Sequence, residues 1–357
     1  MSNVRPNARH DNRIPELDYL RGLAALSVLI FHYLFKGPTD GLIWSPSFGL
    51  LTDVAGYGYL GVNLFFIISG FVIAMSLKGM SVFDFLKARA IRLLPAMWVC
   101  ATVTAISITV LSPQVWPMTN WLASLTLVPE WFGSLGVDGA YWSLRVEVQF
   151  YIAVGLFIAL GRFKLAPVAI GIWLAASAAN LLSPIWRLDF LLCLAWAPYL
   201  CAGILFYNWY ATGLRNLTGF GLIVSFVLCV CYGYKSAAKD GYEIPWVSCL
   251  IVIILFAVFA TLCGRKTRVK ATAMSQILGE ITYPVYLLHQ TIGYLIFNAA
   301  IPSFVNLQGG VRLLVIIGVS FIAIGIAYAL QVTFIRRLDS LLRIALRYKR
   351  GPKVGFQ

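Results

Sequence analysis

The sequence predicts an all-α, polytopic membrane protein of about ten transmembrane helices with both termini on the cytoplasmic side. Three observations predict it. The 357 residues are 60% hydrophobic and only 12% charged, against about 25% charged in a soluble globular domain. The apolar residues gather in runs of the roughly 20 that a helix needs to cross the hydrocarbon core. The Lys and Arg residues fall unequally on the loops that alternate along such a chain, which is the positive-inside pattern.

Taken in order, the runs lie at 17–36, 57–77, 94–112, 141–160, 166–183, 189–208, 217–234, 246–264, 281–300 and 311–335. The stretch TNWLASLTLVPEWFGSLGVDG at 119–139 is apolar but interrupted by Pro129 and Gly133, and reads as an interfacial or re-entrant segment. With the N-terminus inside, 22 of the 28 Lys and Arg residues fall on the cytoplasmic side. Lys36, Arg145, Arg187, Lys235, Lys239 and Arg312 remain outside. An eleventh span would upset this alternation. No internal repeat or Ser/Pro-rich linker divides the chain, so one integral domain is expected over 1–357. It comprises a cytoplasmic tail at 1–16, the helical bundle at 17–335 and a basic cytoplasmic tail at 336–357. The opening MSNVRPNARHDNRIPE is polar and basic, with no small-x-small cleavage site after the first apolar run, so an uncleaved first span is expected.

Composition also narrows the partners. The net charge of +14 is accounted for by basic loops against anionic lipid, so the bilayer and not nucleic acid is the expected charged partner. Seven cysteines is an odd number, and Cys100, Cys193, Cys229 and Cys249 sit in apolar runs. No disulfide framework or metal spacing emerges, and no metal site is expected.

A charged side chain at membrane depth costs about 2.5–3.5 kcal/mol on insertion scales, so the polar residues inside these runs ask for a reason. The first helix, LDYLRGLAALSVLIFHYL, carries Asp18, Arg21 and His32. Arg21 and His32 are eleven residues apart, close to three turns, which puts them on one face about 16 Å apart along the axis. Asp18 lies three residues before Arg21, near enough to pair. The alternative is that Asp18 and Arg21 reach for the cytoplasmic interface while His32 marks the outer boundary. Histidine is the side chain whose ordinary pKa suits proton transfer near neutral pH.

In FLKARAIRLLPAMW, read as the loop after the second helix, Arg89 and Arg92 are three residues apart and Lys87 adds a third charge. Two guanidinium groups so spaced suit a multiply anionic ligand; a plain positive-inside anchor is the alternative. In YWSLRVEVQFY, Ser143, Glu147 and Tyr151 recur every four residues as one polar stripe. Glu147 therefore faces a cavity or a partner; the alternative is a salt bridge with Arg145 or another loop cation, although Arg145 lies on a different face of the helix. In ITYPVYLLHQ, Thr282, Tyr286 and His289 share a face, and His289 reads either as functional or as a buried structural histidine. Ser69-Gly70 resembles an intramembrane-protease serine turn, but Ile67 stands where that pattern needs glycine. Nucleophilic serine chemistry is therefore set aside. Trp116, Trp121, Trp131 and Trp142 cluster around the outer segment, as a platform for sugar rings or as an interfacial belt.

LDYLRGLAALSVLIFHY with its Arg-x10-His spacing, GVNLFFIISGF, KARAIRLLP, YWSLRVEVQFY and TYPVYLLH occur in the order found in the acyltransferase-3 family of membrane acyltransferases. The resemblance reaches from the first to the ninth helix. It implies transfer of an acyl group, usually acetyl, from a cytoplasmic acyl-CoA co-substrate to a carbohydrate hydroxyl across the bacterial cytoplasmic (inner) membrane, with no permanently bound cofactor. Typical acceptors are O-antigen, exopolysaccharide, peptidoglycan and signalling oligosaccharides. Function falls on Arg21, His32, the Arg89/Arg92 pair with Lys87, and Glu147, with Asp18, Ser143, Tyr286 and His289 supporting; His32 is expected to act as general base on the acceptor hydroxyl, with Glu147 orienting or charging it. Some relatives append an extracytoplasmic hydrolase-like domain. This sequence shows none, so a stand-alone form, acting alone or with polysaccharide-assembly proteins, is expected. The rival reading is a proton-coupled transporter, against which stands the lack of inverted repeats and of paired broken helices.

Overall fold

Ten long helices carry the described residues, which in this computed structural model are 14–43, 47–77, 79–112, 116–161, 163–239, 244–264, 269–304 and 309–348. The tail to residue 13, Lys78, Arg162, residues 265–268 and the last nine residues, all used in the charge argument, lie outside them. The helices are α1 (Pro15–Phe31), α2 (Leu60–Ser76), α3 (Val82–Leu111), α4 (Trp142–Ala159), α5 (Ala166–Leu182), α6 (Ala197–Thr212), α7 (Asn216–Lys239), α8 (Trp246–Gly264), α9 (Ala273–Phe304) and α10 (Gly309–Leu330). Among the described residues, eight helical stretches are long and apolar enough to cross a membrane. The other two expected spans are helical as well. α5 stops at 17 residues, and α9 is 32 residues long but carries Thr282, His289, Gln290 and Asn298 along it. The fold is an all-α, multi-pass membrane bundle.

Three sequence expectations change. The stretch with Lys87, Arg89 and Arg92 is not a loop. It is the first part of α3, whose 30 residues begin twelve positions before the expected span. The start is set by Ser81, whose hydroxyl accepts the Asp84 amide at 3.1 Å; a serine N-cap satisfies a donor that the first turn leaves open. The run at 189–208 is not one helix either. Trp186–Leu192 ends at Cys193, which has φ 52°, before α6 begins at Ala197. The Asp189 carboxylate accepts the Ala195 amide at 2.8 Å and holds this corner. The segment from 336 is not a featureless tail: Arg336–Ala345 continues from α10 through a π-turn at Gln331–Ile335 and packs back on α3. The segment at 119–139 behaves as expected: it holds a short helix at Met118–Ser124 and a 3-10 turn at Pro129–Phe132, with no further span among the described residues.

Two groups of helices meet along α2. One face packs on α1, which in turn lies along α9; the other packs most extensively on α6, behind which stand α5, α7 and α8. The α2–α6 approach depends on glycine. A Cβ on Gly70 would strike the Leu200 carbonyl oxygen, and one on Gly203 would strike that of Ile67. Small residues let transmembrane backbones close on each other where lipid supplies no hydrophobic drive. This clamp keeps α2 in place against α1, α4 and α9, and the polar residues of the sequence converge there.

Candidate active site

Near its N-terminal end α1 presents Arg21, whose Nη1 donates to Asp18 Oδ1 at 3.1 Å, both side chains being largely buried. The pairing follows from the three-residue spacing on a helix. At its C-terminal end α1 widens into a π-turn at His32–Lys36, with His32 as its first residue. Such turns are rare and gather at functional sites. The turn is tied to α9 by Tyr33, whose hydroxyl donates to the His289 carbonyl at 2.6 Å, in space that Gly293 leaves open. The tie brings the rings of His32 and His289 to 5.0 Å between centroids. His32 Nδ1 lies 3.1 Å from the Tyr294 hydroxyl. His289 Nδ1 lies 2.8 Å from the Tyr286 carbonyl, so that nitrogen carries the proton; Nε2 is a buried acceptor with no partner.

A cavity of about 90 Å3 opens among α1, α2, α3, α4 and α9. Arg21, Arg89 and Arg92 line it together with Glu147, Tyr151 and Ser143. Ser69, Thr282 and Tyr286 also face it. The four-residue stripe read from the sequence of α4 is therefore a cavity wall. Glu147 Oε1 accepts a short hydrogen bond from the Tyr151 hydroxyl and a longer one, 3.5 Å, from Ser69. Arg89 stands over the rings of Phe85 and Tyr151, 5.6 and 5.7 Å from their centroids, and its Nε is buried without a hydrogen-bond partner. Among the described residues neither Arg89 nor Arg92 takes part in a salt bridge. Asp18 offsets Arg21, so the cavity retains two guanidinium groups against one carboxylate, which suits an anionic group.

His32 lines a second cavity of about 240 Å3, with Asn63, Trp142, Trp196, Gln290 and Lys36 around it. Val62 and Tyr286 line both cavities. One valine and one tyrosine thus form the partition between the arginine side and the His32 side. The Tyr286 hydroxyl is held by Ser143 at 2.7 Å and by the Ala140 carbonyl at 3.0 Å, so the partition has a defined position.

The outer segment frames this second cavity. Arg145 pairs with Glu130 of the Pro129–Phe132 turn, donates to Gln149 and to the Phe190 carbonyl at 2.9 Å each, and lies 4.2 Å from the Phe190 ring centroid. Asp138 is buried; it accepts the Ala140 and Thr291 amides at 2.9 Å each, bridging the entry of α4 to α9. Trp116 and Trp121 donate their indole N–H groups to Thr109 and Thr102 on α3 and so are committed to that helix, whereas Trp142 packs on Trp196 at 5.0 Å.

Most of the residues singled out in the sequence meet here, with three changes. Lys87 does not line either cavity. On a helix it sits about 200° from Arg89 and 140° from Arg92, and reading the stretch as a loop hid this. Glu147 does not bond His32; the partner at His32 is Tyr294. Arg145, the cation nearest Glu147 in sequence, is bound to Glu130 instead. Ser69, set aside on motif grounds, lines the arginine cavity as a hydrogen-bond donor to Glu147. Asn63 and Ser69 had a signal, being polar residues in an otherwise apolar helix. Tyr294 and Trp196 had none, because only the π-turn of α1 and the break at Cys193 bring them in.

The model of the family described as an acyltransferase domain matches residues 14–332. The chain belongs to the acyltransferase-3 family. Its curated relatives include YrhL of Bacillus subtilis strain 168, 29% identical over 187 residues, 45% of this chain and 27% of that protein. The peptidoglycan O-acetyltransferase OatA of Listeria monocytogenes is 26% identical over 166 residues, 41% of this chain and 24% of its own. The O-acetyltransferase OatA of Staphylococcus aureus strain NCTC 8325 is 27% identical over 173 residues, 42% of this chain and 26% of its own. The chain thus aligns with about a quarter of the length of each of these relatives. No solved structure matches it.

Proposed function

We propose that this acyltransferase-family protein moves an acyl group, acetyl in the first instance, from cytoplasmic acyl-CoA to a carbohydrate hydroxyl on the far side of the bacterial cytoplasmic membrane. The observation that carries the reading is the pair of abutting cavities, one lined by Arg21, Arg89 and Arg92 and the other by His32, with only Val62 and Tyr286 common to both. Acyl-CoA bears a pyrophosphate and a 3′-phosphate, which guanidinium groups bind well. Its pantetheine arm is thin enough to pass the partition when Tyr286 shifts. The thioester then faces His32.

His32 acts as general base, its ring orientation set by Tyr294. It takes the proton of the acceptor hydroxyl as the oxygen attacks the thioester carbonyl. The C–S bond breaks, and the imidazolium returns the proton to the departing CoA thiolate. The products are an O-acyl ester and free CoA. A covalent variant, in which His32 first accepts the acyl group and an outer hydroxyl then attacks it, uses the same geometry. Glu147, bound by Tyr151 and Ser69, balances the arginines beside the passage. The relatives named as peptidoglycan O-acetyltransferases support a glycan acceptor, delivered directly or with separate polysaccharide-assembly proteins.

The test is thiol release from acetyl-CoA by the purified protein in nanodiscs, with proton NMR of surface-glycan O-acetyl groups in a deletion strain and its complements. The expected result is release that depends on His32, and acetyl signals that return with wild type but not with His32→Ala at matched expression. A transporter would leave the thioester intact, and that outcome would overturn the reading.

A further inference from the structure

The cavity beside His32 has a chemistry of its own. Among the described residues, two buried polar atoms of side chains on its wall have no hydrogen-bond partner, Asn63 Oδ1 and Gln290 Oε1, and a third, His289 Nε2, belongs to the ring 5.0 Å from that of His32. Asn63 is 3% exposed and His289 1%, so bulk water does not satisfy them. All three are acceptors. For His289 this follows from the Tyr286 carbonyl on its other nitrogen, 2.8 Å away, which takes the ring proton. Gln290 reaches its place because Gly139 opposite has no side chain; a Cβ there would fall 2.9 Å from the Gln290 amide nitrogen. Buried acceptors without donors are rare and call for an occupant that brings donors.

The rest of the wall narrows the occupant. Trp142 and Trp196 lie 5.0 Å apart and are tilted 38° to each other, giving a broad, stiff aromatic surface. Lys36, the cation on this cavity, is held by Asp40 at 3.1 Å. An anionic group therefore meets buried acceptors that offer it no donor and a lysine already paired with Asp40, and is disfavoured against a neutral donor. A ligand with several O–H donors and an apolar C–H face fits both features. At about 240 Å3 the space falls below the roughly 300–1,000 Å3 of sites that enclose drug-sized ligands, and so takes one ring.

We propose that this cavity is the acceptor subsite and admits a single uncharged pyranose ring. Its hydroxyls donate to Asn63 Oδ1 and Gln290 Oε1, and its C–H face lies on Trp142 and Trp196. The assignment rests on the acyl-transfer reading above and deepens it by naming the acceptor class: a neutral hexopyranosyl unit, excluding uronic acids and phosphosugars at the acylated ring.

The test is saturation-transfer NMR on the full chain in nanodiscs. The probes are the methyl glycosides of glucose, galactose and N-acetylglucosamine, with methyl glucuronide as the anionic counterpart. The expected result is saturable contact with at least one neutral glycoside, at least tenfold weaker contact with the glucuronide, and at least tenfold weakening in Asn63→Leu and Gln290→Leu. The neutral-versus-anionic comparison is made on wild type and does not depend on whether a variant folds. Equal binding of glucuronide, wild-type-like binding by both folded variants, or no binding of any neutral glycoside overturns the proposal. A protein that binds the glycosides as expected but leaves acetyl-CoA intact faults the donor reading while the sugar subsite stands, so the two failures are distinct.

Discussion

His32 on the π-turn after α1 and His289 on α9 stand with their rings 5.0 Å apart and 61° to each other, although 257 positions separate them in the chain. His32 lines the larger of the two abutting cavities and is oriented by Tyr294; His289 is pinned by the Tyr286 carbonyl. The juxtaposition joins the two conspicuous membrane histidines to the partition residue Tyr286.

Removing the proposed base tests the proposed centre directly. His32→Ala and His32→Gln are expected to lower kcat for acetyl transfer by about 10²–10⁴-fold, the usual contribution of a positioned acid–base group. Thiol release from acetyl-CoA in nanodiscs measures it. Near-normal transfer by His32→Gln would eliminate both the general-base and the acyl-histidine forms.

Tyr294→Phe keeps the ring that packs near His32 and removes the hydroxyl that lies 3.1 Å from Nδ1 and donates to the His32 carbonyl at 3.4 Å. A net hydrogen bond contributes about 0.5–1.5 kcal/mol, so kcat is expected to fall by up to about tenfold. KM for acetyl-CoA should hold, because Tyr294 does not line the arginine cavity. A rise in KM with kcat kept would assign Tyr294 to donor binding instead.

Arg89→Gln and Arg92→Gln probe the proposed phosphate contacts. Each is expected to raise KM for acetyl-CoA about tenfold or more, from loss of a charge-assisted contact of about 1.5–3 kcal/mol. KM for S-acetylpantetheine, which has no phosphate, should change little. Lys87→Gln, on the far side of α3, should match wild type with both donors. Equal losses with both donors would separate the arginines from phosphate recognition.

Gly70→Ala tests the clamp between α2 and α6. Its Cβ meets the Leu200 carbonyl oxygen, a backbone atom that cannot swing aside. Overpacking of this kind costs about 1–3 kcal/mol, so a lower Tm in detergent is expected, read by fluorescence-detected size exclusion after heating. Gly171→Ala, in α5 with open space around it, serves as the matched control and should leave Tm unchanged.

Much of the site was legible because a membrane makes polarity expensive. Arg21, His32, Glu147 and His289 stand out against apolar neighbours, and helical spacing alone puts Ser143, Glu147 and Tyr151 on one face. Legibility failed where a local rule was overridden. The apolar start of the third span hid a helix that begins at a serine cap in charged sequence, so Lys87 was grouped with the wrong arginine face. Ser69 was weighed by a motif rather than by its depth. The apolar run at 189–208 carried no glycine or proline at Cys193, where the chain turns and brings Trp196 inward.

The sequence by itself determined the all-α membrane class, the positions of the apolar runs, the expected charge asymmetry and the family, because lipid imposes length, apolarity and internal hydrogen bonding on every span. Which residues meet was decided by tertiary structure. The α2–α6 glycine clamp, the π-turn after Phe31 and the tie from Tyr33 to α9 set the distances between helices far apart in the chain. The division into an arginine cavity and a His32 cavity, with Tyr286 between them, depends on those distances. Helical periodicity reports only the face a residue takes on its own helix; the neighbour that face meets follows from packing.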